Sequence, residues 1–314
     1  MTSKVSRIRV QSRGQLLGTG SDGVAPVPLT GDDLLSGEKI REFIIIAGKD
    51  GVGKTSSVLS IARVVAGIVD DPSRYEQWVN PDAQFFIIDT ENKVRSMYKR
   101  FGVHAPPNVV YYYCQDMNAV LLALEDIWSR KRPGDWVAVD SMARIWEMAQ
   151  DLGYEAVSGL SKLEFLERRR EQATKGARAS SPIPQPDQFW NIVKSAHDRH
   201  FLNELVSDSS LNVVMTTILT RPPREVANRQ ENKDRKDFRH EFGIEMGLGG
   251  APTLPYQPET LILLDREKSK VRATTLRDNL SVLDEPSVAL WIEGFKTFGI
   301  DLYETCRILP EGSE

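Results

Sequence analysis

The chain has 314 residues, a length that suits one large domain or two modest ones. Hydrophobic residues at 40% and charged residues at 27% describe an ordinary globular protein and exclude a disordered or fibrous chain. With 40 Lys and Arg against 44 Asp and Glu, the net charge of −4 supplies no global cationic field, so any contact with nucleic acid must come from local patches.

The longest apolar run in the first half, around residues 43–47, is far too short to span a membrane, and the basic start lacks the apolar stretch of a secretory signal. Two cysteines, Cys114 and Cys306, make neither a disulfide framework nor a zinc site. A cytoplasmic, reducing environment with no membrane partner is therefore expected. Residues 1–20 carry Lys4, Arg7, Arg9 and Arg13 and no acid, and residues 14–37 are rich in Gly, Ser, Thr and Pro. Together they read as a basic flexible arm over 1–37.

Regular structure begins with EFIIIA (42–47), a continuous apolar run of the kind buried on both faces of a sheet. Residues 55–69 have helical spacing and stop at Asp70-Asp71-Pro72. QFFIID (84–89) is a second buried strand, and 91–101 are helical in pattern. NVVYYYC (108–114) is a third strand, after which Asp116 can cap a helix to about Arg130. Pro133-Gly134 turns the chain into DWVAVD (135–140), a fourth strand. Residues 153–188 combine a charged helical stretch with a Ser- and Pro-rich loop. Residues 187–207 read as a helix and LNVVMTTIL (211–219) as a fifth strand. A long polar segment, 220–258, precedes ETLILLD (259–265) and KVRATTL (270–276), which look like a closing antiparallel pair. Residues 284–314 hold seven acids against Lys296 and Arg307, an acidic C-terminal helix or tail. Strands alternating with helices predict an α/β fold with a mostly parallel sheet covered on both faces, its ligand at the carboxyl ends of the strands.

Gly48-Lys49-Asp50-Gly51-Val52-Gly53-Lys54-Thr55 fits G-x-x-x-x-G-K-[ST] in full, between a buried strand and a helix. The glycines let the backbone curl so that several N–H groups point at one anion, and the helix adds its positive end. In such a loop the lysine, Lys54, reaches the β and γ phosphates of a nucleotide, and the Thr55 hydroxyl is a magnesium ligand. Gly48, Asp50, Gly51, Val52, Gly53 and Ser56 complete the expected phosphate cradle. The alternative is a chance match in a glycine loop, and the flanking strand and helix weigh against it. Asp140 ends a hydrophobic strand, as a carboxylate serving the same magnesium does; otherwise it merely caps the strand end. Asp89 and Glu91 lie two apart at another strand end, on one face of an extended segment. Glu91, just past the strand, is the choice for orienting water, with Asp89 supporting the loop by hydrogen bonding.

In this order the motifs resemble the RecA-type ATPases. The phosphate loop is followed by Ile88-Asp89-Thr90-Glu91, by a helix ending Lys99-Arg100-Phe101-Gly102-Val103, and by a strand ending Val139-Asp140-Ser141. The resemblance covers about residues 38–280 and implies a RecA-like P-loop NTPase core over 38–283. It implies magnesium-dependent ATP hydrolysis in which Glu91 activates water while Lys54, Thr55 and Asp140 hold the phosphates and the ion. Where the family usually carries Asn-Gln, this chain has Thr216-Thr217, so γ-phosphate sensing falls to a threonine hydroxyl or is lost. The compact RecA-like ATPases of bacteriophages are the nearer likeness. They imply a homo-oligomer, ring or filament, acting on single-stranded DNA in recombination or replication inside a bacterial host. A DnaB-like translocase or helicase is one alternative, and a nucleotide-switched assembly protein with weak turnover is another.

The resemblance also places DNA-contacting loops at about 153–188 and 220–248, the second within an expected mobile stretch running to about 258. Arg168, Arg169 and Arg170 in the first and Arg224, Arg229 and Arg235 in the second are candidates for phosphate contact, and Phe165, Phe238 and Phe242 for base stacking. Interleaved acids keep open the alternative of salt-bridged surface. A cation acting on a neighbouring subunit's site would come from Lys268, Lys270 or Arg277. His197 and His200, i and i+3 on a helix, lack a third ligand nearby and read as surface residues. Trp128, Trp136, Trp146 and Trp190 read as packing, and Cys114 as an inert strand cysteine.

Overall fold

The computed structural model describes residues 41–68, 79–101, 105–174, 186–208, 210–220, 247–248, 250, 254, 258–267, 270–278 and 306–307. The expected basic arm, most of the expected acidic tail, most of the second loop and Lys268 lie outside them.

Six strands run parallel. They are β1 (Phe43–Gly48), β2 (Phe85–Asp89), β3 (Val109–Tyr113), β4 (Trp136–Asp140), β5 (Asn212–Thr220) and, after a short β6 (Gly247–Leu248), β7 (Thr260–Glu267). Their order across the sheet is β3-β2-β4-β5-β1-β7. β8 (Lys270–Asp278) runs antiparallel beside β7, β6 pairs antiparallel with β5, and β9 (Cys306–Arg307) touches β8.

The buried run in β1 explains its central place. Ile44 and Ile46 enter one apolar layer with Val58, Leu59 and Ile61 of α1 (Lys54–Val65) and Val94 of α2 (Lys93–Phe101). Phe43 and Ile45 enter the other layer, with Val120 and Ile127 of α3 (Met117–Arg130) and Ile145 of α4 (Met142–Ser158). Alternate residues point to opposite faces, so a strand covered on both sides must be apolar throughout. Each such isoleucine is worth about 2–5 kcal/mol against alanine. The tyrosine-rich β3 forms an edge and is only half-buried, which lets its phenols reach polar partners at the rim. Asp116 caps α3, accepting from the Ala119 N–H at 2.8 Å.

Much of the stretch 153–188, expected as a DNA loop with a helical part, is helical. α4 continues to Ser158, Gly159 turns the chain in the left-handed region, and α5 spans Lys162–Thr174. The helix expected over 187–207 is interrupted. α6 (Pro186–Lys194) widens into a π-helical stretch, Ser195–Leu202, before α7 (Asn203–Ser207). A chain of rings ties these elements together: Phe165 to Tyr154 at 5.1 Å, Tyr154 to Phe189 at 4.6 Å, Phe189 to Trp190 at 5.0 Å, and Trp190 stacked on Trp146 at 6.1 Å. His197 ends the chain, edge-on to Trp146 at 4.9 Å. It is fully buried, with Nδ1 2.7 Å from Asp198, which corrects the expectation of a surface histidine. Phe189, Val193 and His197 recur at ordinary helical spacing on the buried face of this run, so the ring belongs to the side that packs. No helix among the described residues is long and apolar enough to cross a membrane.

Candidate functional site

The carboxyl ends of β1, β2, β4 and β5 lie side by side and carry the chemistry. Register sets Asp89 opposite Asp140, and Thr216 opposite Ile46 near the end of β1.

The loop from Gly48 to Gly53 is shaped by its glycines. A Cβ on Gly48 would lie 2.6 Å from the Leu264 carbonyl oxygen and 2.7 Å from Val52, so only glycine lets β1 pass β7 as it turns. Gly53 has φ +99°, a region that favours glycine, and it precedes α1 as a cap without a side-chain bond. The first turn of α1 has no acidic residue, so its N-terminal partial charge faces the loop uncompensated. Val52 packs beneath the loop while Lys49, Asp50 and Gly51 are exposed, and the space around Gly51 and Gly53 is open.

Lys54 is 7% exposed and folds back over the loop, its ammonium donating to the carbonyls of Gly48 at 2.9 Å and Lys49 at 2.8 Å. Burial pulls its pKa down, partly opposed by the charge of Asp50, 3.9 Å away. The Thr55 hydroxyl donates to Oδ2 of Asp140 at 2.7 Å. Thr216, fully buried, donates to Oδ1 of the same carboxylate. Burial pushes the Asp140 pKa up, and the two hydroxyls resist that shift. Ser56 faces the other way, toward the Met97 sulfur at 3.8 Å, and Thr217 is buried beside Thr216.

Asp89 does structural work. Its carboxylate accepts from the N–H groups of Glu91 and Val94, both at 2.9 Å, and from the Tyr111 hydroxyl at 3.1 Å. Thr90 bridges β2 and β4, donating to the Asp140 carbonyl and accepting from the Ser141 N–H, each at 3.1 Å. Glu91 stands beyond the strand with both oxygens engaged. Oε1 accepts from the Ser141 hydroxyl at 3.0 Å, and Oε2 forms an ion pair with Lys93. Burial works to raise the Glu91 pKa, but the hydrogen bond and charge of Lys93, with Ser141 and Lys54, outweigh it and hold the carboxyl below its ordinary value.

The structure thus brings Lys54, Thr55, Asp140, Thr216 and Glu91 to one end of the sheet. Sequence reasoning missed two partners, Lys93 and the Ser141 hydroxyl; a lysine opening a helix two residues after a strand-end glutamate was the available signal. Arg168 and Arg170 are exposed on α5, and Arg169 lies on the same helix. Lys270 and Arg277 lie on β8, in register with Glu267 and Leu261. Arg224, Arg229 and Arg235 fall outside the described residues. Among the described residues, no group of three or more His, Cys, Asp and Glu side chains is arranged to hold a metal ion. Cys114 is buried, and burial pushes its thiol up to about 11, which keeps it inert.

The donor set suits phosphate and a hard cation. A curled backbone with open space and a partly dehydrated ammonium matches phosphate oxygens. One hydroxyl and one buried carboxylate match an ion that keeps most of its ligands as water. No family model matches the chain, and no curated protein matches it. The fold that stands is an α/β fold with six parallel strands flanked by helices.

Proposed function

We propose that this chain is a magnesium-dependent ATPase of the RecA-like kind that works as a homo-oligomer on single-stranded DNA, in phage-type recombination or replication. One observation carries the reading: the phosphate-loop lysine, the Thr55–Asp140 pair and Glu91 converge at the carboxyl ends of adjacent parallel strands. Ligands of open α/β sheets bind at such ends. The exposed arginines of α5 are the described part of the expected DNA-facing surface.

In this reading Lys54 exchanges its two loop carbonyls for β- and γ-phosphate oxygens, gaining charge-assisted bonds. Thr55 and Asp140 would hold magnesium, Asp140 through water, and the ion when bound neutralises charge on the β and γ phosphates. Glu91 orients a water toward the terminal phosphorus and accepts its proton as the new P–O bond forms and the bond to the leaving diphosphate breaks. Thr216 keeps the Asp140 carboxylate in place from beneath.

The test is ATP hydrolysis by the purified protein with and without single-stranded DNA, beside Lys54→Ala and Glu91→Gln. Stimulation by DNA that both variants lose supports the reading. Turnover indifferent to DNA refutes the DNA-dependent part, and ATP-driven strand separation shifts the role to a translocating motor. The double engagement of Glu91 favours a second reading, a nucleotide-switched assembly protein with weak turnover. Partner binding that needs ATP but survives Glu91→Gln distinguishes it.

A further inference from the structure

We propose that Lys93 is the residue by which this site tells a nucleoside triphosphate from a diphosphate: it holds Glu91 while the terminal-phosphate position is empty and passes to that phosphate when it arrives. The inference rests on the nucleotide-binding reading above.

Lys93 is the first residue of α2, and the first turn of that helix has no acid. A cation at a helix N-terminus opposes the positive end of the helix dipole. Glu91 compensates for this placement across a reversal built for the purpose. Asn92 adopts φ +55°, a left-handed conformation that Asn tolerates better than most residues, and so doubles the chain back to bring residues 91 and 93 together. Asp89 fixes both sides of the reversal through the N–H groups of Glu91 and Val94. The Tyr111 hydroxyl reaches Asn92 Oδ1 at 3.4 Å.

The two ties on Glu91 differ in mobility. Ser141 is 2% exposed and rigidly placed at the start of α4. The Lys93 side chain is 47% exposed, on a flexible four-carbon stem. Geometry places its ammonium at the site: it pairs with Glu91, whose other oxygen meets the hydroxyl of Ser141, the residue that follows Asp140. A terminal phosphate carries more negative charge than one carboxylate and offers three acceptor oxygens, so it outcompetes Glu91 for the ammonium. A diphosphate lacks that group and leaves the Glu91–Lys93 pair closed. Transfer of Lys93 frees Oε2 for water only when there is something to hydrolyse.

The experiment is equilibrium binding to the full chain, with magnesium, of a non-hydrolysable ATP analogue (an imido bridge between the β and γ phosphorus atoms) and of ADP. The proteins are wild type, Lys93→Met, Lys93→Arg, Glu91→Gln and the Lys93→Met/Glu91→Gln double variant, each checked for folding by a thermal melt. Lys93→Met should weaken the triphosphate analogue about tenfold or more and leave ADP within about twofold, with Lys93→Arg restoring most of the difference. Glu91→Gln should tighten the analogue, and only when Lys93 is present. Equal weakening of both nucleotides, no weakening of either, or a Glu91→Gln effect independent of Lys93 would overturn the proposal. Lys54→Ala separates the two readings. If it abolishes binding while Lys93→Met changes nothing, nucleotide binding stands and only this inference falls. If the wild type binds neither nucleotide, both fall.

Discussion

Replacing Thr216 with valine tests the support beneath Asp140. Valine preserves the shape of threonine and removes one donor. Thr216 is fully buried and Asp140 is 2% exposed, so water cannot replace the lost hydrogen bond. Oδ2 keeps Thr55, but Oδ1 loses this donor. Leaving a buried acceptor unpaired costs about 1–3 kcal/mol. That corresponds to about 5- to 150-fold in the folding equilibrium. The assay is urea unfolding of wild type, Thr216→Val, Asp140→Ala and the double variant, in nucleotide-free buffer. The cycle removes the packing effects common to both backgrounds and should leave a coupling of about 1–3 kcal/mol. A coupling within about 0.5 kcal/mol of zero would refute the reasoning that this hydroxyl secures the carboxylate.

Three other outcomes are expected. Gly48→Ala should destabilise the protein by about 1–3 kcal/mol or more and abolish nucleotide binding, because the new Cβ meets the backbone oxygen of Leu264, which cannot swing aside; denaturant titration and binding check this. Glu91 should make stability pH-dependent. Its folded pKa is depressed below the ordinary 4.5, so its contribution is present above that value and lost as pH falls through the folded pKa. The stability gap between wild type and Glu91→Gln should therefore narrow on acidification below about pH 4.5, and a gap independent of pH would count against the Lys93–Glu91 pair. Ser141→Ala should cost about 1 kcal/mol through its hydrogen bond to Glu91 and not through a lost cap of α4, so urea unfolding should show little cost in a Glu91→Ala background.

The path from sequence to site was clearest where the signal is local. The phosphate loop is contiguous, and the buried run of β1 and the capped start of α3 each depend on neighbours within a few residues. The contacts that give the site its electrostatics are not local. Thr216 meets Asp140 across 76 residues of sequence and Ser141 meets Glu91 across 50, through strand order and register that no short pattern encodes. The Lys93–Glu91 pair is close in sequence, yet it depends on one left-handed residue, Asn92, in a stretch whose spacing reads simply as helix. His197 reads as a surface residue when weighed only as a metal ligand without a partner, although its helical spacing from Phe189 and Val193 places it on the face that packs.

The stacked tryptophans give the molecule a spectroscopic handle. Trp146 sits little more than one turn into α4, the helix that begins at the Ser141 hydroxyl touching Glu91, and its indole lies on that of the 41% exposed Trp190. Coupling between two stacked indoles depends on their mutual angle, so the circular dichroism of the pair should respond when that angle changes. A tilt of α4 that follows the release of Glu91 would change that signal and the quenching of Trp190 by iodide, without a dye or tag. Site occupancy could then be followed in real time on the unmodified chain.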